Sequence, residues 1–556
     1  MSTRSAYTPP VTDRARLLLL GAFAGATLLV GMELLVTAVA LPSIINDLAD
    51  WTELRRASWI INGYLVAYIA VMPLAGRAAD RYGLPRLLIA ALLMFAAGSL
   101  LGGATRSLDQ LVAARLLQGL GGGAIVPLAM AAASHLFGGH ARARALGIVG
   151  AATFLGMALG PFAGAAVLGL FDLAPSLAAT GQAGSPVAAF LVPAWRWIFY
   201  LGAPLAVVVG LVVWAAAPNW PAVGRRGRLD LFGAMVFTTA LGAGLLALTG
   251  LGSDAGPGTA GVALAAIVAV SAGAVATIRF LRAPEPFIDL RVFRDRIFSS
   301  AVLVSLLTGY ALATAIVGAA VFVDRVHYGG PADQRLALGA LAGAMAIGSL
   351  VSGFVLRHLG IVAVTVFGLL LGSAGLVGLA QAEASTPLTA YAAWLAAFGF
   401  GLGLSVTARS TAAVEALGRA AFGIASAAVT VARMIGMGVG LAILTAFGSN
   451  RIETLSVVLV DGVARDAVLP LALRGRPLQD TLVVDALERW AAGEAAAILA
   501  SLFTVAAVVM LAALLPALAM RRRHATGAPV RDLAASTTIG ADDPSLPPDD
   551  EPALAL

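Results

Sequence analysis

Residues Leu111–Pro127 read LVAARLLQGLGGGAIVP. This is an apolar run of helix length with one strong charge, Arg115, about two turns into the span. A charged side chain deep in a membrane helix costs at least about 2.5–3.5 kcal/mol, so it faces protein or water and has a partner. Gln118 at i+3 and Gly119 at i+4 share the face of Arg115. Gly119 and Gly123 form a small-xxx-small pair that lets a second backbone come close. The plain alternative is a packing helix whose arginine snorkels to the interface. At this depth the arginine reads instead as a polar device in a solute path.

The composition around the stretch sets the class. The chain has 556 residues, 60% hydrophobic and 12% charged, with a mean hydropathy of +0.91. That is far more apolar than a soluble domain, so an all-α polytopic membrane protein is expected. All 36 basic residues are arginine. A Walker A loop needs its lysine, so ATP is not the driver and an ion gradient is the default. No cysteine is present, which excludes disulfides, thiolate metal sites and cysteine nucleophiles. The net charge of +6 mimics a nucleic-acid signal. Arginines held on the cytoplasmic side of a membrane explain it better, so no nucleic-acid partner is expected.

Fourteen apolar runs follow one another, near 17–42, 57–78, 86–104, 109–133, 143–169, 197–217, 230–252, 259–281, 298–323, 336–357, 361–381, 388–408, 421–448 and 494–519. The first is too long for a signal-peptide core, and more spans follow it. Arginines concentrate in alternate loops: Arg77, Arg81 and Arg86; Arg142 and Arg144; Arg225, Arg226 and Arg228; Arg282 to Arg296; Arg357; Arg419; and Arg521–Arg523. The positive-inside rule then places both termini in the cytoplasm. Trp51, Trp59, Trp195, Trp197 and Trp490 fall at the outer interface, with Trp214 and Trp220 at the inner one.

The chain also repeats itself. Gly76-Arg-Ala-Ala-Asp80-Arg81-Tyr-Gly83 follows span 2, and Gly353-Phe-Val-Leu-Arg357-His358-Leu-Gly360 follows span 10 with the same glycine spacing. Gly119-Leu-Gly121-Gly-Gly123 in span 4 has its counterpart in Gly399-Phe-Gly401-Leu-Gly403 of span 12. Two related six-helix halves, a known transporter plan, are expected. The division reads as a cytoplasmic tail 1–16, a first bundle 17–217, a linker 218–297 with two extra helices, a second bundle 298–519 and a disordered cytoplasmic tail 520–556.

These residues carry a resemblance. The sequence resembles the major facilitator superfamily, in particular its fourteen-span drug:proton antiporter branch. Gly76–Gly83 is similar to the signature loop after span 2, and Arg115-Leu-Leu-Gln118-Gly119-Leu-Gly121 to the span 4 motif. Gly147, Gly156, Gly160-Pro161 and Gly164 fit the antiporter motif of span 5. Trp195-Arg-Trp-Ile-Phe-Tyr and Glu33-Leu-Leu-Val-Thr37-Ala-Val-Ala-Leu-Pro42 resemble the start of span 6 and the span 1 motif. Trp59…Tyr64…Tyr68…Met72-Pro73-Leu74-Ala75-Gly76-Arg77 and Gly423…Arg433-Met-Ile-Gly436-Met437 are most similar to the triacylglyceride exporters of that branch, which work with a periplasmic lipoprotein. Glu33 stands where the branch usually has aspartate, Leu84 where it has a basic residue, and Ala165 where it has glycine. The resemblance implies a non-enzymatic, proton-coupled exporter of lipophilic compounds, working by alternating access in the bacterial inner membrane without a cofactor. Its partners would be lipids or drugs, protons, membrane lipids and a periplasmic lipoprotein. The cargo would be a lipid such as a triacylglyceride, with general multidrug efflux as the second reading.

The physics of the individual residues stands beside this. Glu33 lies about 13 Å from the outer end of span 1, and Arg115 about 10 Å from that of span 4. Opposite charges at similar depth are expected to pair, and an acid whose partner comes and goes can carry a proton. Gly156, Gly160 and Gly164 line one bare face of span 5, which Pro161 bends. This face is expected to pack closely across the two halves. Asp80 and Arg81 are candidates for an inner latch, and Thr37, Gln118 and Arg433 for the cavity. The cavity helices offer hydroxyls but few charges. A phosphorylated sugar would want two or more cationic anchors, so a neutral or weakly charged lipophile is expected. Residues 449–493 form a link too long for a bundle turn. They carry apolar residues and a helical pattern at Asp485–Trp490, so the flanking helices are expected to continue beyond the outer leaflet.

Overall fold

The structure is a computed structural model. It describes residues 12–49, 53–137, 139–181, 185–217, 230–251, 258–417, 422–477 and 479–521. The tail 524–556, Trp51, Trp220 and the arginines 225, 226, 228 and 419 lie outside the described residues. So do the side chains of Gly76, Arg77, Asp80, Arg81 and Arg357. No strand occurs among the described residues.

The first half comprises α1 (Asp13–Leu48), α2 (Leu54–Ala57), α3 (Trp59–Tyr82), α4 (Leu84–Ala104), α5 (Leu108–Leu136), α6 (Gly139–Leu170), α7 (Ala174–Ala179), α8 (Pro186–Leu191) and α9 (Arg196–Ala216). The linker pair is α10 (Leu231–Thr249) and α11 (Gly258–Arg282). The second half comprises α12 (Arg296–Arg325), α13 (Pro331–Ala380), α14 (Leu388–Leu417), α15 (Phe422–Val460), α16 (Gly462–Val468), α17 (Thr481–Ala512) and α18 (Leu514–Ala519). Fourteen of the resulting helical stretches are long and apolar enough to cross a membrane.

The internal repeat is written into the backbone. Gly83, between α3 and α4, has φ 88° and ψ 132°. Gly360, inside α13, has φ 77° and ψ 163° and divides that helix into two spans. Both sit in a region that only glycine enters cheaply. They are the matching last glycines of the two repeated motifs, so one chain reversal is used twice.

The glycine-rich spans repeat as well. A methyl group on Gly119 would meet the Tyr64 carbonyl, and one on Gly123 the Tyr68 carbonyl, both on α3. On α14, Gly399 and Gly403 seat in the same way against Leu341 and Met345 of α13. Without these side chains the backbones approach closely, which is how helices gain contact in a solvent as apolar as they are.

Two expectations are corrected by the packing. The bare face of α6 seats on α1 of its own half: Gly156 against Leu28, and Gly164 against Val36. It does not pack across the halves. Elsewhere α6 does pack on α13 of the second half, where the Phe162 ring lies beside Gly339. The physical reason is that α1 offers a matching small residue, Gly31, against Thr153. Trp195 is not an interface residue either. It is fully buried, edge-on to Phe199, and its indole N–H donates to Asp47.

The named contacts between the halves lie toward the end opposite the amino terminus. Arg325 donates to Asn46 at 2.9 Å, joining the far ends of α12 and α1. A small apolar void between the halves is lined by Ala38, Ile61 and Leu65 on one side and by Ile316, Met437 and Leu441 on the other. The linker helix α10 packs on both α3 and α15, with Leu245 between Val66 and Ala442.

Candidate functional site

Three helices of the first half bring their polar residues to one point. Span geometry sets Glu33 on α1 and Arg115 on α5 at similar depth, and the small residues around them let the helices close. Arg115 Nη1 donates to Glu33 Oε1 at 2.6 Å and to Gln118 Oε1 at 2.5 Å. Its Nε donates to the Ile60 carbonyl at 3.1 Å. The guanidinium lies over the Tyr64 ring at 4.2 Å and near that of Phe199 at 5.6 Å. Gln118 donates on to Ser99 at 2.7 Å, and Thr37 donates to Glu33 at 3.4 Å. Arg115 is 0% and Glu33 3% exposed.

A buried pair of this kind holds together because its members neutralise one another and Nε and Nη1 of Arg115 have acceptors, while Nη2 is buried without one and faces the aromatic rings. Chemically it can do one thing beyond holding helices. The carboxylate can exchange its arginine for a proton, and the arginine keeps Gln118, Ile60 and the aromatic faces when it does. No group of carboxylates, histidines or cysteines suited to a metal ion occurs among the described residues.

The remaining sequence candidates are distributed. Gly83 makes the reversal described above. Gly147 meets nothing within 4 Å of an added methyl group, while Gly156, Gly160, Pro161 and Gly164 are buried along α6. Arg433 is 2% exposed on α15, where Gly309 of α12 packs against its backbone. The hydroxyls expected to line the path mostly donate to their own helices: Ser305 to Ala301, Thr308 to Val304 and Thr314 to Tyr310.

Two buried charges escape sequence reasoning, Arg409 and Asp230. Arg409 is 0% exposed, and its Nη1 donates to Ser405 at 3.1 Å. The apolar run was read as ending at residue 408, which put Arg409 at the interface. The helix runs on to Leu417. The signal was the small, uncharged sequence Ser410-Thr-Ala-Ala-Val414, which continues the buried pattern past the arginine.

At the far end, Arg196 donates to the carbonyls of Gly103 at 2.8 Å and Thr105 at 2.6 Å, tying α9 to α4. Asp230 caps α10 outside the apolar spans. It accepts from the Gly233 and Phe287 amides at 3.0 and 3.1 Å and from Arg279 at 3.1 Å. Burial opposes its ionisation, yet those amides and Arg279 together hold its carboxyl below the usual range.

The chain was compared with known proteins. Residues 23–441 match the Major Facilitator Superfamily. A triacylglyceride transporter of Mycolicibacterium hassiacum is 34% identical over 441 residues, covering 77% of this chain and 78% of the relative. A triacylglyceride transporter of Mycobacterium tuberculosis is 31% identical, covering 80% of this chain and 85% of the relative. Among solved structures, a bacterial homologue of the human lysosomal transporter Spinster, inward-facing and unoccupied, superposes with a TM-score of 0.61 at 17% identity. That match covers 92% of this chain and all of the other. An auto-inhibited peptide transporter of the POT family gives 0.58 at 17% identity, covering 93% of this chain and 99% of the other. With its fourteen spans, its doubled glycine motifs and a family match across both halves, this chain is a transporter of the Major Facilitator Superfamily.

Proposed function

We propose that the protein is a proton-coupled exporter that moves lipids, of which triacylglycerides are the type, by alternating access across a bacterial inner membrane. The carrying observation is the Glu33–Arg115 pair. A proton and Arg115 compete for one carboxylate deep in the first half. A rocking motion that parts α1 from α5 would load the proton, and the reverse motion would release it. Relatives at about the same identity along most of the chain are named triacylglyceride transporters, which supports lipid as the cargo.

With both termini cytoplasmic, the contacts near Asn46 and Arg325 lie on the outer side, and this conformation reads as inward-facing. Gly76, Asp80, Arg81 and Gly83 would then guard the inner side. A lipid leaving into water needs a protected exit. The helices running from α15 to α17 would supply it and hand the lipid to a periplasmic lipoprotein. The second reading, general multidrug:proton antiport, is supported by the apolar character of the residues that face one another between the halves.

The test is transport by the full chain in proteoliposomes with an imposed pH gradient and a fluorescent triacylglyceride. Glu33→Gln fixes the neutral form and keeps an acceptor for Arg115. It should abolish gradient-driven export while the protein still elutes as a folded species. Wild-type transport by this variant would refute the coupling role.

A further inference from the structure

The connection from α11 to α12 leaves its arginines without an acid to neutralise them. Residues 283–295 join the end of one apolar span to the start of the next, so they lie at a membrane surface whichever way the chain is oriented. Two phenylalanines anchor this strap from below. Phe287 is buried against Phe237 of α10 and Phe280 of α11, at ring distances of 5.6 and 6.0 Å. Phe293 stands edge-on to Phe298 of α12 at 5.3 Å. Leu74 of α3 packs on the same cluster as Phe287, so the linker pair and both halves meet along the strap.

The acids here are already engaged. Asp289 accepts from the Arg291 amide at 2.9 Å, and Asp295 from the Phe298 amide at 2.8 Å. Asp230 accepts from the Phe287 amide and from Arg279. Glu285 has a contact of its own. Arg282, Arg291, Arg294 and Arg296 are exposed, and none of them takes part in an ion pair among the described residues. Arg291 and Arg294 stand three apart on the 3-10 helix Leu290–Arg294, where side chains at that spacing eclipse and project together. Arg296 opens α12 and Arg282 ends α11. Guanidinium groups held at a membrane surface with no acid of their own are matched by a phosphate, which accepts from their planar fork through two oxygens. Phe293, 37% exposed on the same turn, offers an acyl chain an apolar surface.

We infer that Arg282, Arg291, Arg294 and Arg296 bind the headgroup of an anionic phospholipid where the linker pair, α3 and α12 meet. The site involves neither the cargo nor Glu33, so it stands or falls apart from the exporter reading.

The test is intact-protein mass spectrometry of the purified full chain in detergent, with dioleoylphosphatidylglycerol or dioleoylphosphatidylcholine added at matched concentrations. One basic residue at an anionic membrane surface is worth about fivefold in affinity. Wild type should therefore bind the anionic lipid about tenfold or more tighter than the zwitterionic one, and the preference should shrink as salt is raised. Arg291→Gln combined with Arg294→Gln should cut the preference at least about fivefold, whereas Arg291→Lys with Arg294→Lys should keep most of it. Phosphatidylglycerol should raise the melting temperature of wild type more than that of the double glutamine variant. Arg489→Gln removes an exposed charge at the other end of α12, where Tyr328 donates to the Glu488 carbonyl at 3.1 Å, and should leave the preference unchanged. Equal binding of the two lipids by wild type would overturn the inference, and that comparison needs no variant. An unchanged preference in the double glutamine variant would do the same. An equal loss in Arg489→Gln would reduce the preference to net charge and remove the site. Displacement of the bound lipid by millimolar inorganic phosphate would make this a site for a free anion and remove the phospholipid.

Discussion

Two glycines on one helix should respond to the same substitution in opposite ways. A methyl group on Gly156 would stand 2.1 Å from the Leu28 carbonyl oxygen, whereas one on Gly147 would meet nothing within 4 Å. Real contacts of this type stay beyond 3.0 Å, so Gly156→Ala has to push α6 off α1 by at least 0.9 Å, the difference between 3.0 and 2.1. The obstacle is backbone, so no rotamer change relieves it. Forcing a methyl group into a packed interface costs about 1–3 kcal/mol. The upper half of that range is expected, because Gly31, at 2.2 Å from the Thr153 carbonyl oxygen, and Gly164, at 2.9 Å from the Val36 side chain, lie along the same seam and lose contact when it opens. Gly147→Ala creates no clash and gains helix propensity, up to about 1 kcal/mol. Reversible unfolding of the purified protein in sodium dodecyl sulfate, followed by tryptophan fluorescence, measures both. If Gly156→Ala is no less stable than Gly147→Ala, the α1–α6 seam is not the tight contact described here.

Replacing residues 452–488 by a short linker is expected to abolish lipid export while sparing efflux of small drugs. Survival of lipid release and lipoprotein binding would make the segment a dispensable insertion and favour the multidrug reading. The Asp230 cap carries a pH signature. Its carboxyl is held low in the folded state, so its stabilisation is present above the ordinary value of 3.8 and is lost as the pH falls through the lower folded-state value. Thermal scans below about pH 4 should show wild type losing part of its advantage over Asp230→Asn, whereas a gap that does not narrow would exclude an ionised cap.

The fold was legible because membrane helices announce themselves by length and apolarity, and because glycine cannot be exchanged where backbones touch. The spacing Gly76–Gly83 and Gly353–Gly360 marked the repeat, and both motifs close on the same left-handed reversal. Depth arithmetic along α1 and α5 put Glu33 and Arg115 at the same level, and the structure brings them to 2.6 Å. Which neighbour a bare helix face chooses was not legible. Spacing shows that Gly156 and Gly164 share a side but not that Gly31 of α1 waits there. Arg409 was lost for a different reason. Hydropathy ends a span at its first charge, and only the neighbouring helices reveal that the charge is enclosed. Likewise Trp195 was assigned by residue type to an interface, while its partner Asp47 lies far away in sequence.

The length of α15 has a mechanical consequence. It runs as one helix of 39 residues, Phe422–Val460, about 58 Å from end to end. Arg433 sits within its apolar stretch Ala427–Gly448, and the stretch from there to Val460 makes an arm of about 40 Å. A tilt of about a tenth of a radian at the arginine sweeps the distal tip through about 4 Å, because a continuous helix bends little along its length. Anything gripping that tip therefore feels a small tilt at the arginine as a displacement. The same arm works in reverse, so a load applied at the tip exerts torque at Arg433.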